Sequence, residues 1–224
     1  MIEVTYKGSM GNDLTVVNAA RVSFGKESDW DYEESDAYSF KQHMKLKDRK
    51  LINYLAEHNH ISPFGHCFAS FHVKAPVFVA RQLVKHKFLR WNEISRRYVD
   101  EEPVFHTPNT WRGRADDKKQ GSSGEVSISY RMISTLAKHE VWCKKAYNDL
   151  LEQGVAPEQA RMVLPQSMMT EWYWSGSLDA WSDMCRLRQS EDSQEEARLV
   201  ANYISTEMGN LYPDSWAALQ AYNR

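Results

Sequence analysis

The spacing of apolar residues changes several times along the chain between a repeat typical of strands and one typical of helices. Apolar and polar residues alternate over 2–6 and 68–74, and a third apolar run covers 166–175, so each segment predicts a strand. The predicted helices follow the N-cap Asn12, start near Pro76 and after Pro213, and cover 38–57, 125–153, 178–187 and 193–211. Together they indicate one helix-rich α+β (α/β) domain over 1–224 with a small central sheet.

The helix near Pro76 is predicted to carry polar side chains beside its apolar stripe. The stripe repeats at helical spacing and consists of Val77, Ala80, Val84 and Phe88. Gln82, Lys85 and His86 then share another side, because residues three and four apart are neighbours on a helix. Further along, 103–124 contains the polar run DDKKQGSSG and predicts a long, partly mobile loop, a kind of segment that is usually functional or disordered.

Charge is distributed unevenly over the 224 residues. The chain carries a net charge of −2, but 81–97 contains six cations and one acid, which gives this window +5 and leaves −7 for the rest. A nucleic-acid-binding protein is usually basic across a whole face. A short basic segment in an acidic chain favours a pocket for small phosphorylated ligands.

Cysteine usage and the absence of targeting signals indicate a cytoplasmic protein. Cys67, Cys143 and Cys185 are odd in number and far apart, which argues against a disulfide framework and fits a reducing compartment. We expect neither a secretory signal nor a membrane span, because the N-terminus lacks an apolar core and charged residues interrupt every long apolar run. No CxxC or HExxH pattern is present, so we predict no metal site.

The basic window is dense in hydrogen-bond donors. Its lysines and arginines can hold phosphates, Asn92 and Glu93 can contact polar ring edges, and Ser95 can donate to an anion. By chemistry alone, a solvated basic face explains the window as well as a phosphate site does.

Several segments in order along the chain resemble the flavin-dependent thymidylate synthases. Residues 85–98 read KHKFLRWNEISRRY, which is similar to the family signature RHR-x-x-S-x-NE-x-S-x-RY. Further similar segments are MGNDL at 10–14, AARVSF at 19–24, H-x-SPF-x-H at 60–66, FHVKAP at 71–76, RQ at 81–82, ARMVLP at 160–165, LR at 187–188 and Q-x-E at 194–196. The resemblance covers most of the chain outside 103–124.

The resemblance implies a role for each matching residue. It implies contacts to dUMP from Gln82, Lys85, Glu93, Ser95, Arg96, Arg97, Arg161 and Arg188. Of these, Arg188 is the implied catalytic residue, since a buried arginine beside a uracil carbonyl can stabilise negative charge on the ring. For FAD it implies contacts from Lys85, His86, Lys87, Glu93 and Ser62, with Ser23 as a weaker candidate.

The implied reaction is the methylation of dUMP to dTMP. The carbon would come from methylenetetrahydrofolate, and NADPH would reduce the FAD that supplies hydride. The resemblance also implies a homotetramer with active sites shared between subunits, with small molecules as partners and neither nucleic acid nor membrane. None of the three cysteines lies in a matching segment, which agrees with a route that needs no enzymic thiol.

The chain departs from the family pattern in three respects. Lys85 and Lys87 replace arginines and so lose the planar fork, and Arg90 replaces a serine. Ser177, Asp179 and Asp183 stand where the family often has Asn and Arg, and acids there would repel flavin phosphates. These departures keep open a related flavin-dependent (hydroxy)methylase acting on another pyrimidine nucleotide.

Other interpretations are weaker. Ser95 as a nucleophile lacks a visible His–Asp pair, so a ligand contact is favoured. For His58, His60 and His66, packing or flavin contact is favoured over a metal site. A nucleic-acid-binding module rests only on the local charge. The aromatic residues Trp91 and Tyr98 and the run WYW at 172–174 are expected in the core or an interface, with ligand stacking as the alternative.

Overall fold

A computed structural model of the chain describes residues 1–36, 39–98, 101–115 and 121–222. The strands are β1 (Glu3–Met10), β2 (Asp31–Asp36), β3 (Ser39–His43), β4 (Phe68–Pro76), β5 (Leu89–Glu93) and β6 (Met169–Ser177). The helices are α1 (Asp13–Arg21), α2 (Leu46–Glu57), α3 (Val77–Leu83), α4 (Tyr130–Glu152), α5 (Pro157–Ala160), α6 (Leu178–Gln189), α7 (Glu195–Leu211) and α8 (Pro213–Ala221). The predicted helix-rich α+β fold is confirmed.

The central sheet has the order β1-β4-β6-β5, and each neighbouring pair is antiparallel. β4 and β5 are therefore parallel, with β6 between them and α3 as the crossover helix. One face of the sheet buries an aromatic row in which Trp91 stacks on Trp172 at 4.2 Å between ring centroids and Trp174 meets Trp181 edge-on at 5.0 Å. This row fixes β5 on β6, because large rings contribute much of the buried apolar area.

Most of the predicted helices and strands are confirmed, and contacts at their ends explain where some of them begin. Asn12 caps α1 through a capping box with Thr15, which satisfies backbone donors at the start of the helix. The strands at 2–6, 68–74 and 166–175 correspond to β1, β4 and β6, and α6, α7 and α8 lie where the pattern placed them. The described part of 103–124 contains neither helix nor strand beyond isolated bridges at Phe105 and Arg112.

Three helix predictions were wrong in extent. Residues 39–43 form β3, paired with β2, so the helix predicted over 38–57 begins only at Leu46; residue 38 lies outside the described residues. α4 begins at Tyr130 rather than 125, because Ser129 caps it. α3 ends at Leu83, so Lys85 and His86 lie beyond it and the predicted helical side does not exist.

The predicted apolar stripe of α3 was wrong at its last two members. Val84 and Phe88 are 42% and 78% exposed, whereas Val79, Ala80 and Leu83 are buried. Phe88 adopts a φ of 64°, a left-handed conformation that turns the chain from α3 into β5. The strand β5 itself was not predicted. Among the described residues, no helix is long and apolar enough to cross a bilayer.

Candidate active site

The crossover from β4 through α3 to β5 divides the predicted site residues into two groups. β5 extends over five residues, so its ends lie about 13 Å apart. Glu93 and the segment after it lie at one end, where β6 begins, because Glu93 pairs with Trp172. Lys85, His86 and Lys87 precede the other end, where Leu89 pairs with Gly176.

A cavity of about 670 Å³ lies at the Glu93 end of β5. It is lined by five of the predicted dUMP residues: Glu93, Ser95, Arg96, Arg97 and Arg161. Its wall is completed by the cavity-facing side of α3, including Arg81, and by Glu158 and Thr170. Four arginines against two glutamates give the cavity an excess of positive charge, which suits a phosphorylated ligand.

Glu93 is held in one orientation within this cavity. The Thr170 hydroxyl donates to Glu93 Oε1 at 2.7 Å, and the Trp91 indole N–H donates to Oε2 at 3.1 Å. Thr170 is only 5% exposed. Because both oxygens have a fixed donor and each can accept another, the carboxylate is a pre-oriented acceptor for a ligand hydroxyl or N–H.

The arginines of the cavity are anchored by local contacts. Ser95 Oγ accepts from the backbone N–H of Arg97 and from its Nε, both at 3.3 Å, and the Arg97 guanidinium lies 5.0 Å from the ring of Tyr98. Arg161 donates from Nε to the Glu158 carbonyl at 3.3 Å. Among the described residues, neither side chain uses its terminal N–H groups in a hydrogen bond, so these groups can face a ligand. Ser95 is already engaged as an acceptor and hydrogen-bonds no base among the described residues, so its geometry fits a contact residue.

Gln82, His86 and Arg188 form a second cluster on the other side of α3. Arg188 lies near the end of α6. It donates from Nε to His86 Nε2 at 2.8 Å and from a terminal nitrogen to the backbone carbonyl of Gln82 at 2.9 Å. Burial, together with the charge of Arg188, lowers the pKa of His86 to about 4. His86 is therefore neutral at physiological pH and accepts this hydrogen bond. Burial also lowers the pKa of Arg188, which remains a cation.

The residues implied to contact FAD lie at the Leu89 end of the sheet, except Glu93, which lies at the opposite end of β5. Lys85, Lys87 and Ser62 are exposed, and Ser62 lies in the 3₁₀ turn Ser62–His66 that leads into β4. Ser23 is exposed in the 3₁₀ turn Val22–Phe24 that follows α1. Val22 and His66 line one pocket of about 560 Å³, so the two turns border the same pocket.

Neither the cysteines nor the histidines line the cavity that contains Glu93. The three thiols are free and buried. Burial is the main cause that raises the pKa of Cys67 to about 12, and it also raises the pKa of Cys185, so neither is a ready thiolate. His58 and His60 form a ring stack with Tyr54.

Comparison with known proteins gives one consistent result. The family model described as thymidylate synthase complementing protein matches residues 6–214. A flavin-dependent thymidylate synthase of Thermus thermophilus is 38% identical over 95% of this chain and 73% of that protein. One from Thermosipho africanus is 35% identical over 88% of this chain and 81% of that protein. The chain belongs to the flavin-dependent thymidylate synthase family.

A solved structure agrees with this assignment. The UMP/dUMP methylase PolB from Streptomyces cacaoi, bound with 5-Br dUMP, superposes with a TM-score of 0.82 and 29% identity over 99% of this chain and 96% of that one. The predicted family and fold and the methyltransferase class are confirmed. None of these relatives favours a nucleic-acid-binding module.

A flavin fits the donors at the Leu89 end of the sheet. Phe88 offers an exposed ring between exposed ammonium groups and the sheet, which suits a flat ligand that carries phosphates. Asp183 pairs with Arg186 at 3.0 Å, so its charge is partly neutralised. Asp179 Oδ1 is buried and has no hydrogen-bond partner among the described residues, which suits a ligand hydroxyl or amine in place of a phosphate.

Sequence reasoning missed three residues near the site. Arg81 lines the cavity, Thr170 orients Glu93, and Gln194 bonds Gln82. Arg81 and Gln194 lie in segments that resemble the family, but no ligand role followed from the match. Nothing in the sequence indicated a role for Thr170, because its contact with Glu93 depends on the pairing of β5 with β6. Trp172 and Trp174 are buried as expected, whereas Tyr98 and Tyr173 are exposed.

Proposed function

We propose that this chain is a thymidylate synthase that transfers the carbon of methylenetetrahydrofolate to C5 of dUMP, with NADPH as the source of electrons for its FAD. The observation that carries the proposal is the cationic cavity in which Glu93, Ser95, Arg97 and Arg161 converge. Its volume and charge suit one nucleoside monophosphate. Family membership supplies the flavin dependence and the methyl transfer.

Different residues of the cavity would contact different parts of the nucleotide. Arg97 and Arg161 would hold the phosphate, because a planar guanidinium can donate two parallel hydrogen bonds to it. Ser95 would donate its hydroxyl hydrogen to the same anion. Glu93 would accept from a hydroxyl or N–H of the ligand, since Thr170 and Trp91 already fix its orientation.

Arg188 would act on the pyrimidine. Two acceptors, His86 Nε2 and the Gln82 carbonyl, hold one side of its guanidinium, so its remaining N–H groups point in a defined direction. A cation fixed beside a uracil carbonyl would favour ionisation at N3 and stabilise the resulting negative charge on the ring. That charge makes C5 a better nucleophile towards the methylene carbon. The C5 hydrogen then leaves as a proton. The folate amine would leave with the electrons of its bond to the transferred carbon, and reduced FAD, when bound, would supply the hydride that completes the methyl group.

Lys85, His86 and Lys87 would hold the flavin with Ser62, and Ser23 and Glu93 would approach it. The exposed ammonium groups suit its diphosphate, although lysine contributes a point charge without the planar fork of arginine. His86 would serve the flavin through its remaining ring edge, because Nε2 is occupied by Arg188.

The active site would be shared between the subunits of a homotetramer. Gln82 and Arg188 do not line the cavity that contains Glu93 and Arg97, and α3 separates the two groups. One chain therefore does not bring both groups to the same cavity. A second subunit that presents its Gln82 and Arg188 to the cavity completes the set.

The test is product formation under anaerobic conditions. Purified protein is incubated with FAD, NADPH, methylenetetrahydrofolate and dUMP, and the nucleotide is analysed by mass spectrometry. Parallel reactions contain dCMP and, because PolB is a UMP/dUMP methylase, UMP. Flavin-dependent formation of dTMP supports the proposal. Methylation of UMP or dCMP alone would mean that the chain acts on that nucleotide instead of dUMP. A folded, flavin-loaded protein that forms no product would contradict the proposed function.

A further inference from the structure

The turn between α6 and α7, residues 190–194, connects two residues that both contact Gln82. Arg188 comes just before this turn and donates to the backbone carbonyl of Gln82 at 2.9 Å, and Gln194 ends the turn and accepts from the Gln82 side chain. The turn is also tied to α6, because the Ser193 hydroxyl donates at 2.9 Å to a carbonyl in the last turn of that helix. The place of Arg188 therefore depends on the place of this turn.

The segment that follows the cavity residues packs against the start of α7. We call its described residues, 101–115 and 121–126, the strap. Within the strap, Arg112 donates from a terminal nitrogen to Glu196 at 2.6 Å and pairs through Nε with Glu195 at 3.2 Å, and both glutamates lie in the first turn of α7. Because Glu196 is only 6% exposed, water and salt weaken this ion pair less than a surface pair.

The strap also lies against the turn itself. Gly121 has a φ of 91°, a conformation that favours glycine, and a Cβ placed on it would lie 3.4 Å from the backbone oxygen of Asp192. Arg112 Nε also donates to the Ser122 hydroxyl at 2.9 Å, which joins the two contact points of the strap. The strap therefore holds both the turn and the helix that follows it.

The other end of the strap is fixed to the wall of the cavity. The backbone N–H of Met169 donates to the Val104 carbonyl at 2.7 Å, and the N–H of His106 donates to the Ser167 carbonyl at 2.8 Å. Met169 lines the cavity. The strap thus runs from the cavity wall to the turn that follows Arg188.

We infer that Arg112 is a positioning residue that holds the turn after α6 through the strap and so keeps the Arg188 guanidinium facing the pyrimidine. The inference rests on the proposed function, in which Arg188 acts on the ring. A displacement of about 1 Å at such a group can cost roughly a hundredfold in rate. The phosphate ligands Arg97 and Arg161 lie in the cavity, whose lining does not include the turn, so a loosened strap should affect the chemical step more than nucleotide binding.

The first experiment compares Arg112→Gln with Arg114→Gln in steady-state formation of dTMP under anaerobic conditions. Arg112→Gln loses both ion pairs but keeps an amide donor for Glu196, so kcat should fall about tenfold while the KM for dUMP stays within about threefold. Arg114 is an exposed arginine of the same strap, and its side chain makes no hydrogen bond or ion pair among the described residues, so Arg114→Gln should match the wild type. Arg112→Lys keeps the charge without the planar fork and should recover part of the lost kcat.

Two further measurements locate the origin of the loss. In Arg112→Gln, hydrogen exchange followed by mass spectrometry should be about tenfold faster in the peptide that covers 187–194 and unchanged in peptides from β4. The double variant R112Q/R188K should have a kcat within about twofold of Arg188→Lys alone, because a strap that works through Arg188 adds little once Arg188 is altered. Gly121→Ala replaces Arg112→Gln if that variant does not fold, since a side chain at this position disturbs the same packing.

The outcomes separate this inference from the proposed function. Wild-type protein that forms no methylated nucleotide contradicts the proposed function, and hydrogen exchange then still tests whether the strap holds the turn. With an active wild type, an unchanged kcat in Arg112→Gln, unchanged exchange over 187–194, or losses that multiply in the double variant overturn the role of Arg112 alone.

Discussion

The contact between His86 and Arg188 predicts a specific dependence of stability on pH. His86 is half-buried, and the pKa of its imidazole falls from 6.5 to about 4 on folding, through burial and the charge of Arg188. Between these two values the unfolded chain binds a proton at this position and the folded chain does not. The free energy of unfolding therefore rises with pH over this interval. The contribution of His86 to that free energy is lost as the pH falls through the same interval.

The magnitude follows from the pKa difference. A fall in the pKa of His86 from 6.5 to about 4 corresponds to a change in the free energy of unfolding of about 3 kcal/mol at most. Because the side chain is only half-buried and water screens part of the effect, we expect about 1–2 kcal/mol. His86→Gln should abolish this contribution, since a carboxamide does not titrate but can still accept from Arg188.

The assay is urea denaturation of wild type and His86→Gln at about pH 7 and about pH 4.5, with the free energy of unfolding extrapolated to water. His139→Gln, which alters an exposed histidine on α4, is the matched control. The wild type should lose about 1–2 kcal/mol more than His86→Gln between the two pH values. An equal loss in both proteins would refute the assignment of a neutral, buried acceptor to His86.

Three further substitutions test other contacts of the site and core. Arg161→Lys keeps the charge but loses the fork, so the KM for dUMP should rise about tenfold with a smaller change in kcat, as measured by steady-state kinetics; an unchanged KM would remove Arg161 from the phosphate site. Thr170→Val deprives Glu93 of a donor at constant shape and should weaken dUMP binding about fivefold in calorimetry, while Thr170→Ser binds normally. Asp48→Asn leaves Arg21 without its fully buried anionic partner and should lower the free energy of unfolding by about 3 kcal/mol. Urea denaturation measures this loss, and an unchanged denaturation midpoint would disprove it.

The sequence predicted the fold where the pattern and its boundaries agreed. β4 alternates cleanly and ends at Pro76, and α6 has a regular apolar repeat that starts directly after β6, so both were found close to their true positions. The extent of α3 was not predictable from its repeat. Phe88 continues the helical spacing, but its left-handed conformation is stabilised by the pairing of β5 with β6, a contact distant in sequence.

The site was predictable in composition but not in arrangement. The density of cations in 81–97 fitted a phosphate site and a solvated basic face equally well, and the resemblance implied which residues contact which ligand. That Lys85 and Arg97 lie beyond opposite ends of one strand depends on β5, whose five residues carry only two apolar side chains. The orientation of Glu93 and Gln82 depends on partners far away in the sequence, Thr170 and Gln194.

The account depends most on a nucleotide held between the cavity of one subunit and Arg188 of another, and complementation between two inactive variants tests it. Arg97→Ala and Arg188→Ala are produced separately and then co-expressed with different tags, and doubly tagged assemblies are purified and assayed for dTMP. Each variant alone should be nearly inactive, whereas random mixing should restore roughly a quarter of the sites, since one subunit then supplies an intact cavity and the other an intact Arg188. Mixed assemblies as inactive as their parents would contradict the shared site.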